Sequence, residues 1–122
     1  HVGEFNNGSV FIEVVSKDYN GVMNLGSEHT ASLDSKAITF PLTLTMIESE
    51  DDFQPLGLDY KVNVRKFLKE KGFGPAQLKE MYVLKTSGGS ICWIPEVQIA
   101  DWCKIDAKTS QILSLSFGRY GN

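Results

Sequence analysis

Between Ala37 and Glu48 the sequence AITFPLTLTMIE alternates apolar with polar residues. Ile38, Phe40, Leu42, Leu44 and Met46 fall on one side, and Thr39, Pro41, Thr43 and Thr45 on the other. A period of two predicts a β-strand with one buried and one solvated face. Pro41 has no N–H to give to a ladder, so this strand belongs at a sheet edge or carries a bulge. The threonine row reads as solvated β-formers, although a flat row on an edge strand is also where a partner can add a strand.

Other segments follow the same logic. Ser9 to Ser16 (SVFIEVVS) predicts a strand with Val10, Ile12 and Val14 on one face, followed by a turn through Lys17–Gly21. Val22–Leu25 reads as a short returning strand, residues 26–36 as a polar loop, and residues 1–8 as a loose lead-in. Leu58, Tyr60 and Val62 alternate over another short strand. Asn63 is a good N-cap for a helix with Val64, Phe67 and Leu68 at i, i+3 and i+4, and Gly72 supplies a left-handed stop. Gly74-Pro75 opens a second short helix through Lys79. Met81–Lys85 and the stretch from Ser90 form a hairpin around Gly88-Gly89. Asp106–Ser110 is a tight turn into a strand bearing Leu113, Leu115 and Phe117, and the tail from Gly118 to Asn122 is expected to fray. The expected fold is α+β, a mostly antiparallel sheet with one or two short helices in the middle of a single domain, residues 1–122.

The stretch SICWIPEVQIADWCKID, residues 90–106, holds both cysteines and both tryptophans. A hairpin centred between Val97 and Gln98 would set Cys92 against Cys103, but its tip, EVQIA, has no Gly, Asn or Asp. One long strand bent at Pro95 would part the cysteines by on the order of 35 Å. Turn chemistry favours the bent strand, with two ordinary thiols.

Composition narrows function more than it identifies it. Hydrophobic residues at 42% and charged residues at 22% are ordinary for a folded domain. A net charge of −3 counts against a general phosphate-binding surface but leaves a local basic patch open, and nucleic acid is not the expected partner. No apolar run reaches the roughly 18 residues of a membrane span. The four cations Arg65, Lys66, Lys69 and Lys71 read as the solvated side of the first helix. His29, beside Glu28, lacks the further ligands of a zinc site. Gly72-Phe73-Gly74 has neither the third glycine of a dinucleotide loop nor the Gly-Lys-Ser/Thr of a P-loop. No catalytic residue, metal ligand or cofactor is therefore nominated.

Residues 63–116 order a short helix, a strand, a Gly-Gly turn, a long strand and then KIDAKTSQIL. This resembles the PepSY-type unit, which typically closes on V-D-A-x-T-G-x-V. The matching residues are Ile105, Asp106, Ala107, Lys108, Thr109 and Ile112; Ser110 stands where the family usually has Gly. The resemblance implies an extracytoplasmic module that binds or restrains another protein, often a peptidase, and offers no catalytic residue. The expected function is thus a non-enzymatic protein-binding or inhibitory module acting through a sheet face or edge. The nominated partner-binding residues are Trp93 and Trp102 if they are exposed, the core being the expected place for both, with Tyr120 and the acidic-loop residues Glu50, Asp51 and Asp52. The alternatives are an intracellular immunity or inhibitor protein neutralising a toxin or nucleic-acid enzyme through that acidic loop, for which free thiols would argue, and a small enzyme of unknown type. Oligomeric state is left open.

Overall fold

The computed structural model describes residues 2–21 and 27–120. Strand β2 (Val10–Asp18) buries Val10, Ile12 and Val14 completely, as its alternation predicts. Before it, β1 (Gly3–Asn7) pairs antiparallel with β2, Gly3 opposite Val14 and Asn7 opposite Val10. The expected lead-in is therefore a strand, and Gly8, at φ +63°, makes the turn between them. Strand β3 (Thr30–Asp34) occupies what reads as a polar loop. Only its Leu33 enters the core, so the segment carries almost no hydrophobic periodicity of its own. Its extended form comes from pairing with a strand some eighty residues on.

Strand β4 is confined to Thr43–Met46. The alternation from Ala37 does not persist as one strand: Phe40 and Met46 are both exposed, and a 3₁₀ turn over Ser35–Ala37 starts the segment. β4 is nevertheless the edge of its sheet, as Pro41 predicts. A two-stranded hairpin follows, β5 (Asp52–Phe53) against β6 (Val62–Asn63), where a longer strand from Leu58 is expected. Helix α1 (Val64–Glu70) is capped by Asn63, whose side chain accepts from Lys66 N, and Gly72 leaves it at φ +100°. Helix α2 (Pro75–Leu78) has Pro75 in its first turn.

Strand β7 (Tyr82–Lys85) and β8 (Ile91–Ile94) form the Gly-Gly hairpin. The chain then reverses again into β9 (Gln98–Ile99), Trp93 opposite Ile99 and Ile94 opposite Gln98. The bent strand is thus incorrect, and so is a hairpin centred at Val97–Gln98. The turn is Ile94–Val97, closed by Val97 N donating to Ile94 O at 2.9 Å. Pro95 takes its second position and Glu96 its third, at φ +70°. That is a type II turn with Glu where Gly or Asn is usual. Cys92 lies opposite Ala100, whose N–H donates to the Cys92 carbonyl. Cys103, in a 3₁₀ turn over Asp101–Cys103, also donates to that carbonyl, at 3.5 Å. Both thiols are buried neighbours and free.

Finally β10 (Gln111–Arg119) inserts between β2 and β3. Its far end is not frayed: Tyr120 N donates to Ser9 O. The result is an α+β fold with two antiparallel four-stranded sheets, ordered β1-β2-β10-β3 and β4-β7-β8-β9. Asn7 Nδ2 bridges them, donating to Leu44 O at 2.8 Å. One contiguous buried cluster joins both sheets to Val64, Leu68 and Leu78 of the helices. The expected strand at Val22–Leu25 lies outside the described residues. No helix among the described residues is long and apolar enough to cross a membrane.

Candidate nucleic-acid interface

Helix α1 is held by one stripe. Val64 and Leu68, at i and i+4, are fully buried, and Phe67 meets Phe53 edge-on at 5.1 Å. The remaining positions point to solvent and carry Arg65, Lys66 and Lys69, all exposed. Lys71 follows with its ammonium 4.9 Å from the Phe67 ring centre. Gly74 then turns the chain into α2, with Gly74 N donating to Gln77 Oε1 at 2.8 Å, and exposed Lys79 ends that helix.

This segment segregates charge. Residues 64–79 carry five cations, Arg65, Lys66, Lys69, Lys71 and Lys79, against one carboxylate, Glu70. The rest of the chain has seven Lys and Arg against fourteen Asp and Glu. The ion pairs among the described residues lie elsewhere, Lys85 with Asp51 and Glu48, Lys104 with Asp101, and His29 with Glu96. The five ammonium and guanidinium groups therefore face solvent without an ion-pair partner among the described residues, on a chain whose remainder is acidic in sum. The net charge of −3 hides this patch, and nucleic acid is not excluded by it.

A groove of about 580 Å³ opens near the start of α1. Phe53 and Ile91 form its buried floor, and Asp52, Lys61, Trp102 and the Gly88-Gly89 turn are among its walls. Val64 N donates to Asp51 O, which ties the first turn of α1 to the strand that presents Asp52.

The nominated residues divide. Trp93 is 2% exposed and belongs to the core, so it cannot anchor a partner. Asp51 is also buried, because its carboxylate accepts from Lys85 Nζ and from Glu48 N, each at 2.9 Å. It is a structural brace rather than part of a solvated acidic rim. Glu50 and Asp52 are exposed, and Asp52 and Trp102 both line the groove. Tyr120 stands against β1 and β2, its ring tilted against Phe11 with centroids 4.8 Å apart and its hydroxyl donating to Glu4. The six do not form one surface.

His29 is paired with Glu96 at 2.6 Å, and no group of three or more His, Cys, Asp or Glu among the described residues is placed to hold a metal. Burial, and then the neighbouring Cys103, push the Cys92 thiol far above its ordinary range; burial lifts Cys103 to about 12. Neither is a thiolate nucleophile at neutral pH. Sequence reasoning nominates neither Lys61 nor Lys79, and reads the helix cations it does name as a solvated face rather than as a contact for nucleic acid. A charge count by segment rather than over the whole chain signals the cluster.

At the level of sequence the chain matches no family model and no curated protein. Among solved structures it is similar to the C-terminal domain of TILS, with a TM-score of 0.75 and 10% identity, over 93% of this chain and 87% of that one. It is also similar to an N-terminal fragment of the phenylalanyl-tRNA synthetase beta-subunit from Pyrococcus horikoshii. There the TM-score is 0.62 at 20% identity, over 73% of this chain and 28% of that one. At such identities the likeness is one of fold.

Proposed function

We propose that this chain is a non-catalytic RNA-binding domain that lays its two short helices against the phosphate backbone of a folded RNA, with transfer RNA as the leading class. The uncompensated cluster Arg65, Lys66, Lys69, Lys71 and Lys79 carries the reading. Lysines act here as point charges, which position a backbone without reading sequence. The fold it shares with a fragment of a tRNA synthetase subunit supports the choice of RNA. The remainder of the chain, with seven Lys and Arg against fourteen Asp and Glu, favours this patch as the main contact with the backbone. A protein partner on a sheet face has less support, because Trp93 and Asp51 belong to the core.

Fluorescence anisotropy with a labelled tRNA, titrated between 50 and 200 mM salt, tests this. Binding should weaken steeply with salt, and each cation that contacts a phosphate contributes about one unit or less to the log–log slope. Replacing all five cations by Gln should abolish most of the binding at 50 mM salt and flatten that slope. Equal affinity of the wild type and the five-Gln variant, or no binding by either, refutes the proposal.

A further inference from the structure

We infer that the groove walled by Trp102 receives one unpaired nucleobase, flipped or single-stranded, at the edge of the RNA held by the helices. The inference rests on the RNA-binding reading and adds to it a base-recognition site. Trp102 is 36% exposed, and its 3₁₀ turn is firmly held. Asp101 N donates to Gln54 O at 2.8 Å, and the Asp101 carboxylate accepts from Gly57 N and Lys104 Nζ, each at 3.0 Å. The backbone that carries the indole is thus set before any ligand arrives, which suits a stacking platform.

Around it stand polar groups without protein partners. Neither the Asp52 carboxylate nor the Lys61 ammonium is engaged by another described residue. Gln54, which also lines the groove, commits its amide N–H to Leu58 O and keeps its side-chain oxygen as an uncommitted acceptor. On the opposite wall, a Cβ built at Gly88 or Gly89 would meet nothing, so a ligand can approach the backbone there. An aromatic face, two acceptors and one ammonium match the three parts of a nucleotide: a ring to stack, edge N–H donors to accept from, and a phosphate. The volume lies within the roughly 300–1,000 Å³ of small-ligand sites. Position selects a nucleotide over a sugar or a peptide. Lys61 stands three residues before α1, and Asp52 adjoins the residue whose carbonyl accepts from that helix's first N–H, so the groove lies beside the start of the helix that carries the cations.

The experiment compares two RNAs of one sequence, a blunt duplex and the same duplex with a single-stranded 3′ overhang. The wild type should bind the overhang form more tightly. Trp102→Ala should bind the blunt duplex like the wild type and lose about 5- to 100-fold on the overhang form, the usual effect of deleting one stacking platform. Lys61→Gln, on an exposed residue outside the core, should show the same selective direction, which separates loss of a site from loss of the fold. If the overhang adds nothing to wild-type affinity, or Trp102→Ala leaves its gain intact, the base site is refuted and the helical interface stands. If neither RNA binds to the wild type, the interface itself fails and takes the base site with it.

Discussion

Asp51→Ala separates a structural acid from a binding acid within one loop. The Asp51 and Lys85 side chains are only 10% and 19% exposed, 2.9 Å apart, with Glu48 a more distant second partner for the ammonium at 3.7 Å. The second Asp51 oxygen accepts from Glu48 N. Removal of the carboxylate leaves a largely buried ammonium and a backbone donor without their acceptor. Breaking a fully buried pair costs roughly 3–5 kcal/mol. Residual solvent access to Lys85 lowers that, and the lost acceptor of Glu48 N adds back part, so about 2–4 kcal/mol is expected. At roughly 4 °C per kcal/mol for a domain of this size, the Tm falls by about 8–16 °C. Thermal and urea melts of Asp51→Ala, Lys85→Met and the double variant close a cycle, with a coupling of about 1–3 kcal/mol. Glu50→Ala, one residue away and exposed, should change stability by less than about 0.5 kcal/mol. If Asp51→Ala melts with Glu50→Ala, or the cycle is additive, the brace does not exist and Asp51 returns to the acidic surface.

Four further outcomes follow from burial and backbone geometry. Trp93→Ala should lose roughly 3–5 kcal/mol in denaturant melts, whereas Trp102→Ala should lose no more than about 1 kcal/mol; comparable losses would put both indoles in the core. Thr45→Val should gain about 1 kcal/mol, since Thr45 Oγ1 is buried without a partner; a loss in the thermal melt would mean that the hydroxyl is satisfied. Gly118→Ala should cost about 1–3 kcal/mol, because its new methyl would come within 2.5 Å of the Phe11 ring; an unchanged melt would show that the ring moves freely aside. Both thiols should resist a thiol reagent at pH 8 in the native protein and react fully in denaturant. Since burial raises both, moving to pH 9 should change little, and a native thiol titrating near 8–9 would contradict the packing.

Helix α1 was legible residue by residue because cap, stripe and stop are all local: Asn63, the Val64–Leu68 spacing and Gly72 specify it without reference to the rest of the chain. The Gly-Gly hairpin and β2 were legible for the same reason. Strand β3 was not, because Thr-Ala-Ser-Leu-Asp gains its extended form from β10, a long-range partner that no local pattern encodes. The Pro95–Glu96 turn was missed because turn chemistry looks for Gly, Asn or Asp, and Glu96 holds a positive φ while its carboxylate pairs with His29. Residue type marks Trp93 and Trp102 alike, and the structure divides them into a core residue on β8 and a groove wall in the 3₁₀ turn at Asp101–Cys103. For the helix cations the residues and their common face were legible, and what was not is that the carboxylates pair elsewhere, which only the folded arrangement shows.

Strand β10 lies between two strands from the first third of the chain. During synthesis β1 and β2 can pair as soon as they emerge, while β3 has no neighbour and the Val10–Ile12–Val14 face has no complete sheet to share. That sheet forms only once Arg119 has left the ribosome. Closing contacts across so much sequence is slow, so its ordering falls late and nearly at once, after the local hairpins and helices have formed. Until then the nascent chain exposes one uncovered edge on β2, and this is the interval in which a chaperone would matter to it.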